Sequence, residues 1–341
     1  MRTSHTNRPL LIITMGDPSG IGPEVTCRSL AEIGAQKDHT VVVVGDYPVF
    51  TENCAGLISS DLLAGPIPPD GGLFYEDKIN VLDPGPRLNK HRYGHPSVPG
   101  ARKTLSFLES AVNLIKKFGD ERPSAMVTAP VNKEKIASIH KGFVGHTEYL
   151  QQAFSRDHVT MALTGSSFSV IPVTRHIPIK DVPANISSDG ICRSVEHARD
   201  WLFPFTGKTE PIISICSLNP HNGEGGKIGT EEIEIITPAV ETIRNNIYPH
   251  VRGPVPSDVA FYQAYRKDVD VVVGMYHDQC LAPFKMVEFD TGINVTLGLG
   301  FIRTSPDHGT AYDIAGKGIA GHLSMKHAIL SAIKALEGRK A

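Results

Sequence analysis

The sequence predicts an α/β protein of two domains with a partly mixed sheet. Three observations carry that prediction. The chain has 341 residues, too long for one ordinary hydrophobic core and suited to two. Short apolar runs alternate with amphipathic helical stretches, the pattern of strands connected through helices. In the middle of the chain, the runs 159–163 and 168–174 lie too close together for a helical crossover and read as an antiparallel pair.

The elements follow in order. Residues 10–15 and 41–45 are mostly apolar and read as buried strands. Between them 23–33 reads as a helix, with Pro23 at an early position and Gly34 as its stop. The Pro/Gly-rich stretch 64–100 reads as loop, although it is not low-complexity. A longer helix fits 100–118, where Ala101, Leu105, Leu108, Val112 and Ile115 recur at three- and four-residue spacing and Gly119 ends the run. A strand at 125–129 leads into a short helix from Asn132. After the antiparallel pair come a helix at 188–201, a strand at 212–218, a helix at 230–244, and strands at 269–275 and 293–297. Helices at 309–315 and 324–336 close the chain, and no internal repeat is present.

Composition excludes several classes. Hydrophobic residues make up 40% of the chain, which is ample for burial and excludes a disordered protein. Net charge is −2, with no long run of one sign, so there is no nucleic-acid-binding footprint. An anionic substrate would be held by a few local bases. The five cysteines, Cys27, Cys54, Cys192, Cys216 and Cys280, include no CxxC pair. This odd, scattered set predicts free thiols in a reducing compartment rather than a disulfide framework. The run 10–15 is too short to span a bilayer and lacks a secretory cleavage pattern. The expectation is a cytoplasmic protein with no membrane partner.

The chemistry-bearing residues sit at predicted strand ends, where open α/β sheets place their ligands. Residues 15–24 join a strand to a helix through a glycine-rich turn whose free N–H groups suit a polar ligand. Alone, this segment reads as a tight turn with a capping Asp or Ser. Within residues 15–24 neither the G-x-G-x-x-G spacing nor the Walker A sequence occurs. In Gly145-His146-Thr147-Glu148, Thr147 reads as a helix cap with Glu148 in the first turn. His146 and Thr147 are equally well placed for a polar substrate.

Three histidines follow three separate strands: His176, His221 and His277. Any one of 15 histidines is more often surface or core. The joint pattern fits one divalent ion with positions left open for substrate. Asp278 is placed to orient His277. Gly223, Gly225 and Gly226 permit close approach of a cofactor or make a plain turn. Lys285, Asn294 and Arg303 form a candidate phosphate or carboxylate clamp. Asn294 is the least bland of them, because a polar side chain inside an apolar strand requires a partner.

These residues lie within an ordered set of motifs. Thr14 to Glu24, Thr128-Ala129-Pro130-Val131-Asn132-Lys133-Glu134, Gly145 to Glu148, Leu218-Asn219-Pro220-His221, Tyr276-His277-Asp278-Gln279 and Arg303 to Ala311 resemble the 4-hydroxythreonine-4-phosphate dehydrogenase family, in its order and over essentially the whole chain. The resemblance implies an isocitrate/isopropylmalate dehydrogenase-like fold, two α/β/α domains with a cleft between them and no Rossmann fold. It places a first domain at 1–130 plus 305–341 and a second at 131–304. It implies a homodimer with a shared metal site, with His176 and His221 from one subunit and His277 from the other. The implied substrate contacts are His146, Thr147, Lys285, Asn294 and Arg303. Two positions depart from the family pattern: Cys280 stands where Gly is usual, and Gly300 where Pro is common. Cys280 so near His277 is expected to narrow the site or make it oxidation-sensitive.

The implied reaction is NAD-dependent oxidation of 4-phosphohydroxy-L-threonine followed by decarboxylation, in pyridoxal phosphate formation. NADP is not distinguished from NAD, and Zn, Mg, Mn and Co all remain open for the one divalent ion per site. Asp258 and Lys133 are the candidate bases, with a metal-bound water as a third. Competing readings are a dehydrogenase of a phosphorylated sugar acid such as D-threonate 4-phosphate, a metal-dependent hydrolase or lyase without NAD, and a non-catalytic metabolite sensor.

Overall fold

The computed structural model describes residues 8–34, 36, 38–69, 74–85, 87–88 and 91–338. Its strands and α-helices run in the order β1 (Leu10–Thr14), α1 (Gly22–Ile33), β2 (Thr40–Val44), α2 (Tyr47–Cys54), β3 (Leu63–Ile67), β4 (Ile79–Leu82), α3 (Val98–Phe118), β5 (Ser124–Thr128), α4 (Lys133–Ala137), α5 (His146–Ala153), β6 (Thr160–Thr164), β7 (Ser169–Pro172), α6 (Val182–Asn185), α7 (Ser188–His197), α8 (Phe203–Thr206), β8 (Ile213–Cys216), α9 (Thr237–Asn246), β9 (Val251–Val255), α10 (Ser257–Tyr265), β10 (Val271–Gly274), α11 (His277–Glu288), β11 (Ile293–Leu297), β12 (Ile302–Pro306) and α12 (Leu323–Gly338).

The chain divides into two units, Met1–Asp157 with Leu299–Ala341, and His158–Gly298. Both changeovers differ from the expected 130/131 and 304/305. Residues after β5 stay in the first unit because Ile136 of α4 and Phe143 pack with Ala101 and Leu108 of α3. β12 stays there because Ile302, Arg303 and Thr304 pair with Ala125, Met126 and Val127 of β5.

The first unit holds an all-parallel sheet in the order β3-β4-β2-β1-β5-β12. β1, β2 and β5 are buried at every position. Continuous burial of this kind requires cover on both faces. Helices α1, α2 and α12 pack together, and α3 lies against β1, β2 and β5. Each fully buried Leu, Ile or Val stabilises this arrangement by roughly 1.5–3 kcal/mol. α1 starts hard against β1: a Cβ at Gly22 would stand 2.3 Å from the Met15 carbonyl oxygen. Ser97 caps α3 by accepting from Gly100 N at 3.2 Å, so this helix starts earlier than the periodicity predicts.

The second unit carries the mixed sheet, ordered β11-β6-β7-β10-β8-β9. β6 runs antiparallel to both β11 and β7, as the short 159–174 spacing predicts, and β7, β10, β8 and β9 are parallel. Phe168, Phe284, Val170, Val272, Ala260, Ala264 and Cys280 form its core. The end of α11 is tied to the β6–β7 turn through Glu288, only 2% exposed. That carboxylate accepts from Ser166 N at 2.9 Å, Ser167 N at 2.8 Å and the Thr291 hydroxyl.

Several expectations need correction. The stretch 64–100 is not all loop: it contains part of β3, all of β4 and the start of α3, while residues 70–73, 86 and 89–90 of it lie outside the described residues. α2, β9, α10, α11 and β12 were not anticipated. α11 continues through Pro283, which hid it in the sequence. Residues 309–315 form turns rather than a helix, because Ala311 takes φ 41°. The Cys27 and Cys54 sulfurs are joined in a disulfide, against the expectation of free thiols. The packing of α1 on α2 sets this pairing, and residue spacing alone did not show it. No helix among the described residues is long and apolar enough to cross a membrane.

Glu288 supplies a stability test. Burial pushes its carboxyl pKa up, but the hydrogen bonds from Thr291, Ser167 and Ser166 outweigh this and hold it below the usual value of 4.5. Its stabilising effect is therefore present above the unfolded-state carboxyl pKa and lost as pH falls through the folded one. Glu288→Gln should lower unfolding free energy by about 1.5–3 kcal/mol near neutral pH. Urea denaturation at about pH 7 and about pH 4 should show a smaller acid-induced loss in the variant than in wild type.

Candidate functional site

In the first unit, candidate residues gather around a buried guanidinium. Arg303 in β12 is 3% exposed, and its Nη2 donates to Thr128 Oγ1 at 2.6 Å. Burial pulls its pKa down to about 10 while Glu148 opposes the shift, so it remains a cation at neutral pH. His146 is the first residue of α5, and its Nε2 is buried without a hydrogen-bond partner. Burial, then the charges of Arg303 and Lys133, hold this imidazole well below its usual range. Lys133 opens α4, whose cap is Asn132, with Oδ1 accepting from Lys135 N at 2.9 Å. A Cβ at Gly145 would stand 3.4 Å from Lys133 Nζ and 3.2 Å from Glu148 Oε2.

Lys133, His146, Glu148 and Arg303 therefore share one neighbourhood, with Thr147 half-buried in the first turn of α5. Two cations beside a neutral imidazole suit an oxyanion. Thr147 is not the helix cap; Gly145 occupies that position and no side chain caps α5. Thr128 was missed as a partner of Arg303. Its place in the Thr128-to-Glu134 block was the available signal.

In the second unit, the His176 and His277 rings lie 5.6 Å apart between centroids. They meet because β7 and β10 are paired in parallel and both chains turn at the same edge. His277 opens α11, and its Nδ1 lies 2.6 Å from Asp278 Oδ1. A carboxylate can only accept, so Nδ1–H donates and Nε2 is left free to bind a ligand. Gln279 holds this strand end. Its Oε1 accepts from Met275 N at 2.6 Å, and its Nε2 donates to Ser217 O at 2.8 Å.

His221 is exposed and does not join the other two. Among the described residues of one chain, no three His, Cys, Asp or Glu side chains gather closely enough to hold a metal. His221 lies in a left-handed turn, with φ 53° at His221, 54° at Asn222, 73° at Gly223, 45° at Glu224 and 66° at Gly225. The non-glycine residues there each cost roughly 1–2 kcal/mol. Glu232 offsets this strain by accepting from Leu218 N at 2.8 Å and Asn219 N at 2.7 Å. A Cβ at Gly223 would stand 2.6 Å from Gly229 O, so that glycine serves the turn itself. Gly226 makes ordinary contact with Ile233, while Gly225 faces open space.

Lys285 and Asn294 are half-buried, in α11 and β11, and Asn294 pairs with Leu163 of β6. Both belong to the second unit, whereas Arg303 belongs to the first. Asp258 is exposed in the first turn of α10. Cys280 is fully buried beside Phe284, and burial pushes its thiol pKa well up. The expected oxidation sensitivity is therefore corrected: a buried thiol held protonated is inert.

Comparison with known proteins gives the family. Residues 37–332 match the family model described as pyridoxal phosphate biosynthetic protein PdxA. The chain belongs to this family. It is 38% identical over 326 residues to the 4-hydroxythreonine-4-phosphate dehydrogenase of Desulfosudis oleivorans, covering 96% of each chain. It is 39% identical over 323 residues to the D-threonate 4-phosphate dehydrogenase of Cupriavidus necator, covering 94% of this chain and 95% of that one. The crystal structure of 4-hydroxythreonine-4-phosphate dehydrogenase from Klebsiella pneumoniae is similar at TM-score 0.80 and 34% identity, over 96% of this chain and 99% of that one. A beta-decarboxylating dehydrogenase of Thermococcus kodakarensis, at TM-score 0.52 and 15% identity over 97% of this chain and 83% of that one, shares the fold.

His146 generates a pH prediction. Its folded pKa lies below the ordinary 6.5, so the unfolded chain takes up the proton first and stability falls as pH drops through that range. His146→Asn should flatten this dependence between about pH 7.5 and about pH 5.5, measured by urea denaturation. An unchanged slope would place the titration elsewhere.

Proposed function

We propose that this protein oxidises the C3 hydroxyl of 4-phosphohydroxy-L-threonine with NAD, giving 2-amino-3-oxo-4-phosphooxybutanoate. This product loses CO2 to give 3-amino-2-oxopropyl phosphate, in pyridoxal 5'-phosphate formation. The observation that carries the reading is the cationic neighbourhood of Arg303, Lys133 and neutral His146. It suits the phosphate and carboxylate of such a substrate, in a chain that matches a 4-hydroxythreonine-4-phosphate dehydrogenase nearly end to end. A second reading, D-threonate 4-phosphate as substrate, is favoured by the equally extensive match to the Cupriavidus necator enzyme.

The residues present fit a divalent ion in part. His176 and His277 stand side by side, and Asp278 aims one of them. We assign the ion to His176, His221 and His277, with a second subunit completing the set. An all-imidazole set suits zinc or cobalt better than magnesium. Held there, the ion would lend acidity to a substrate hydroxyl. The nicotinamide would supply the hydride acceptor; of Gly223, Gly225 and Gly226, Gly225 is the one where an added Cβ would meet nothing within 4 Å.

The protein's own groups do the rest. Arg303 offers a planar fork of donors to phosphate or carboxylate oxygens. His146 and Thr147 add donors beside it. Lys133, next to His146, takes the hydroxyl proton once its ammonium has given up its own, with Asp258 as the alternative base. Unit two also exposes Val259, Tyr262 and Tyr265 of α10 with Met286 and Phe289 at the end of α11. A second copy of the chain covers these apolar side chains in a homodimer.

NADH formation should occur with 4-phosphohydroxy-L-threonine and stop with chelator. Preference for D-threonate 4-phosphate would keep the site and change the substrate. Phosphate release without NAD reduction would sink the dehydrogenase reading in favour of a hydrolase. Lys133→Ala should abolish turnover while Asp258→Asn retains it; the reverse would exchange the base. Asp278→Asn should weaken metal affinity about 10–100-fold, read by chelator competition. Met286→Glu with Tyr262→Glu should yield monomers in sedimentation, and an unchanged dimer would move the interface.

A further inference from the structure

The loops after β1, β5 and β12 meet at one phenol that the reading above leaves without a task. Tyr312 donates its hydroxyl to Asp17 Oδ2 at 2.6 Å. The side chains of Asn132 and Thr310 also reach that hydroxyl. Asp17 is 3% exposed, and its other oxygen accepts from Ser19 N at 2.8 Å. Thr310 O accepts from Ile21 N at 3.0 Å, and a Cβ at Gly20 would stand 2.9 Å from the same oxygen. A fourth strand of chain closes the group. Gly94 N donates to Ser19 O at 2.8 Å, and Gly94, at φ 74°, would meet Tyr312 O at 2.9 Å if it carried a Cβ. Gly316 at φ 75° lies so close to the Tyr93 ring that a Cβ there would stand 2.6 Å from it.

We propose that Tyr312 is a positioning residue, whose hydroxyl locks the loops 16–22, 129–132 and 308–316 together and thereby fixes Asn132, the cap of the helix that presents Lys133. The reasoning is one of acceptor accounting. Asp17 is a buried carboxylate, and a buried carboxylate needs donors. Ser19 N supplies one of them locally, and Tyr312 supplies the other from the far end of the chain. Burial, with Asp17 second, pushes the phenol pKa far up, so the hydroxyl stays a donor throughout the working range. Asn132 uses its oxygen to cap α4, which leaves its amide NH2 to face Tyr312. The phenol thus connects the turn at the start of α1 to the cap of α4. Phenylalanine would fill the same space and could not make the connection.

The kinetic half of this proposal rests on the reading of Lys133 as the base; the structural half does not. Tyr312→Phe in the full chain, followed by hydrogen exchange, tests the lock itself. The amides of Ser19, Ile21 and Lys135 should exchange about tenfold faster, and those of Ser166 and Ser167 in the other unit should not change. Unchanged exchange at Ser19, Ile21 and Lys135 overturns the lock whatever the activity. With 4-phosphohydroxy-L-threonine, kcat should fall about tenfold with KM within about twofold, and Asp17→Asn added to Tyr312→Phe should cost little more. Faster exchange with unaltered kcat overturns the positioning of Lys133. Wild-type protein inactive on both phosphorylated acids overturns the reading of the substrate, while the exchange result still decides the lock.

Discussion

A guanidinium buried inside a β-strand is the constraint on which the first unit depends. An ion removed from water without partners is costly enough to unfold a domain. Arg303 therefore draws structure to itself. The carboxyl end of β5 supplies the Thr128 hydroxyl, and α5 supplies the opposing charge of Glu148. The His146 imidazole, in the same neighbourhood, cannot take a proton without adding a further positive charge there, and it stays neutral. The packing of α4 and Phe143 on α3 brings these groups together. The result is a buried cation at Arg303 beside a neutral imidazole, with the exposed Lys133 next to them, a place suited to an anionic ligand.

The second unit meets the same difficulty with carboxylates. Glu232 and Glu288 are each 2% exposed and each receive otherwise loose backbone N–H groups. Glu288 closes the β6–β7 turn onto α11, and Glu232 holds the entrance to the left-handed turn that carries His221. Gln279 does for β10 and β8 what these acids do for the turns. Histidines at strand ends are thus held by their neighbours, His277 by Asp278 and the turn of His221 by Glu232. The strain in residues 221 to 225 is bearable because a buried acid anchors it from behind, the arrangement expected where a backbone is bent for function.

Most of the frame was legible because burial leaves a local signature. Residues 10–15 and 293–297 read as strands from their apolar runs, and 100–118 as a helix from its spacing, close to the observed β1, β11 and α3. The antiparallel step between β6 and β7 followed from chain length alone. The elements missed were those whose local signals conflict with their state. Pro283 argues against α11, yet one lost donor is tolerated in a helix whose Phe284 and Cys280 are locked in the core. β3 is an edge strand interrupted by the exposed Gly65 and Pro66, so it lacks the apolar run that marked its neighbours. The free-thiol expectation failed for Cys27 and Cys54, because scattered spacing says nothing about two helices that pack together.

For the site, residue type was legible and partnership was not. A polar Asn294 in an apolar strand and three histidines after three strands announce themselves one by one. Nothing local says that His176 meets His277 while His221 stands apart. The case of Tyr312 is sharper. Its partner Asp17 is 295 positions away in sequence, and an aromatic residue in a glycine-rich turn looks like ordinary filler. What converts it into a structural hub is that the parallel order β1-β5-β12 brings three strand ends side by side. In a parallel sheet the carboxyl ends are neighbours in space whatever their separation in the chain, so their loops must be satisfied by one another. A polar residue at such an end is best read against the loops of adjacent strands, and strand order, rather than sequence distance, decides which loops those are.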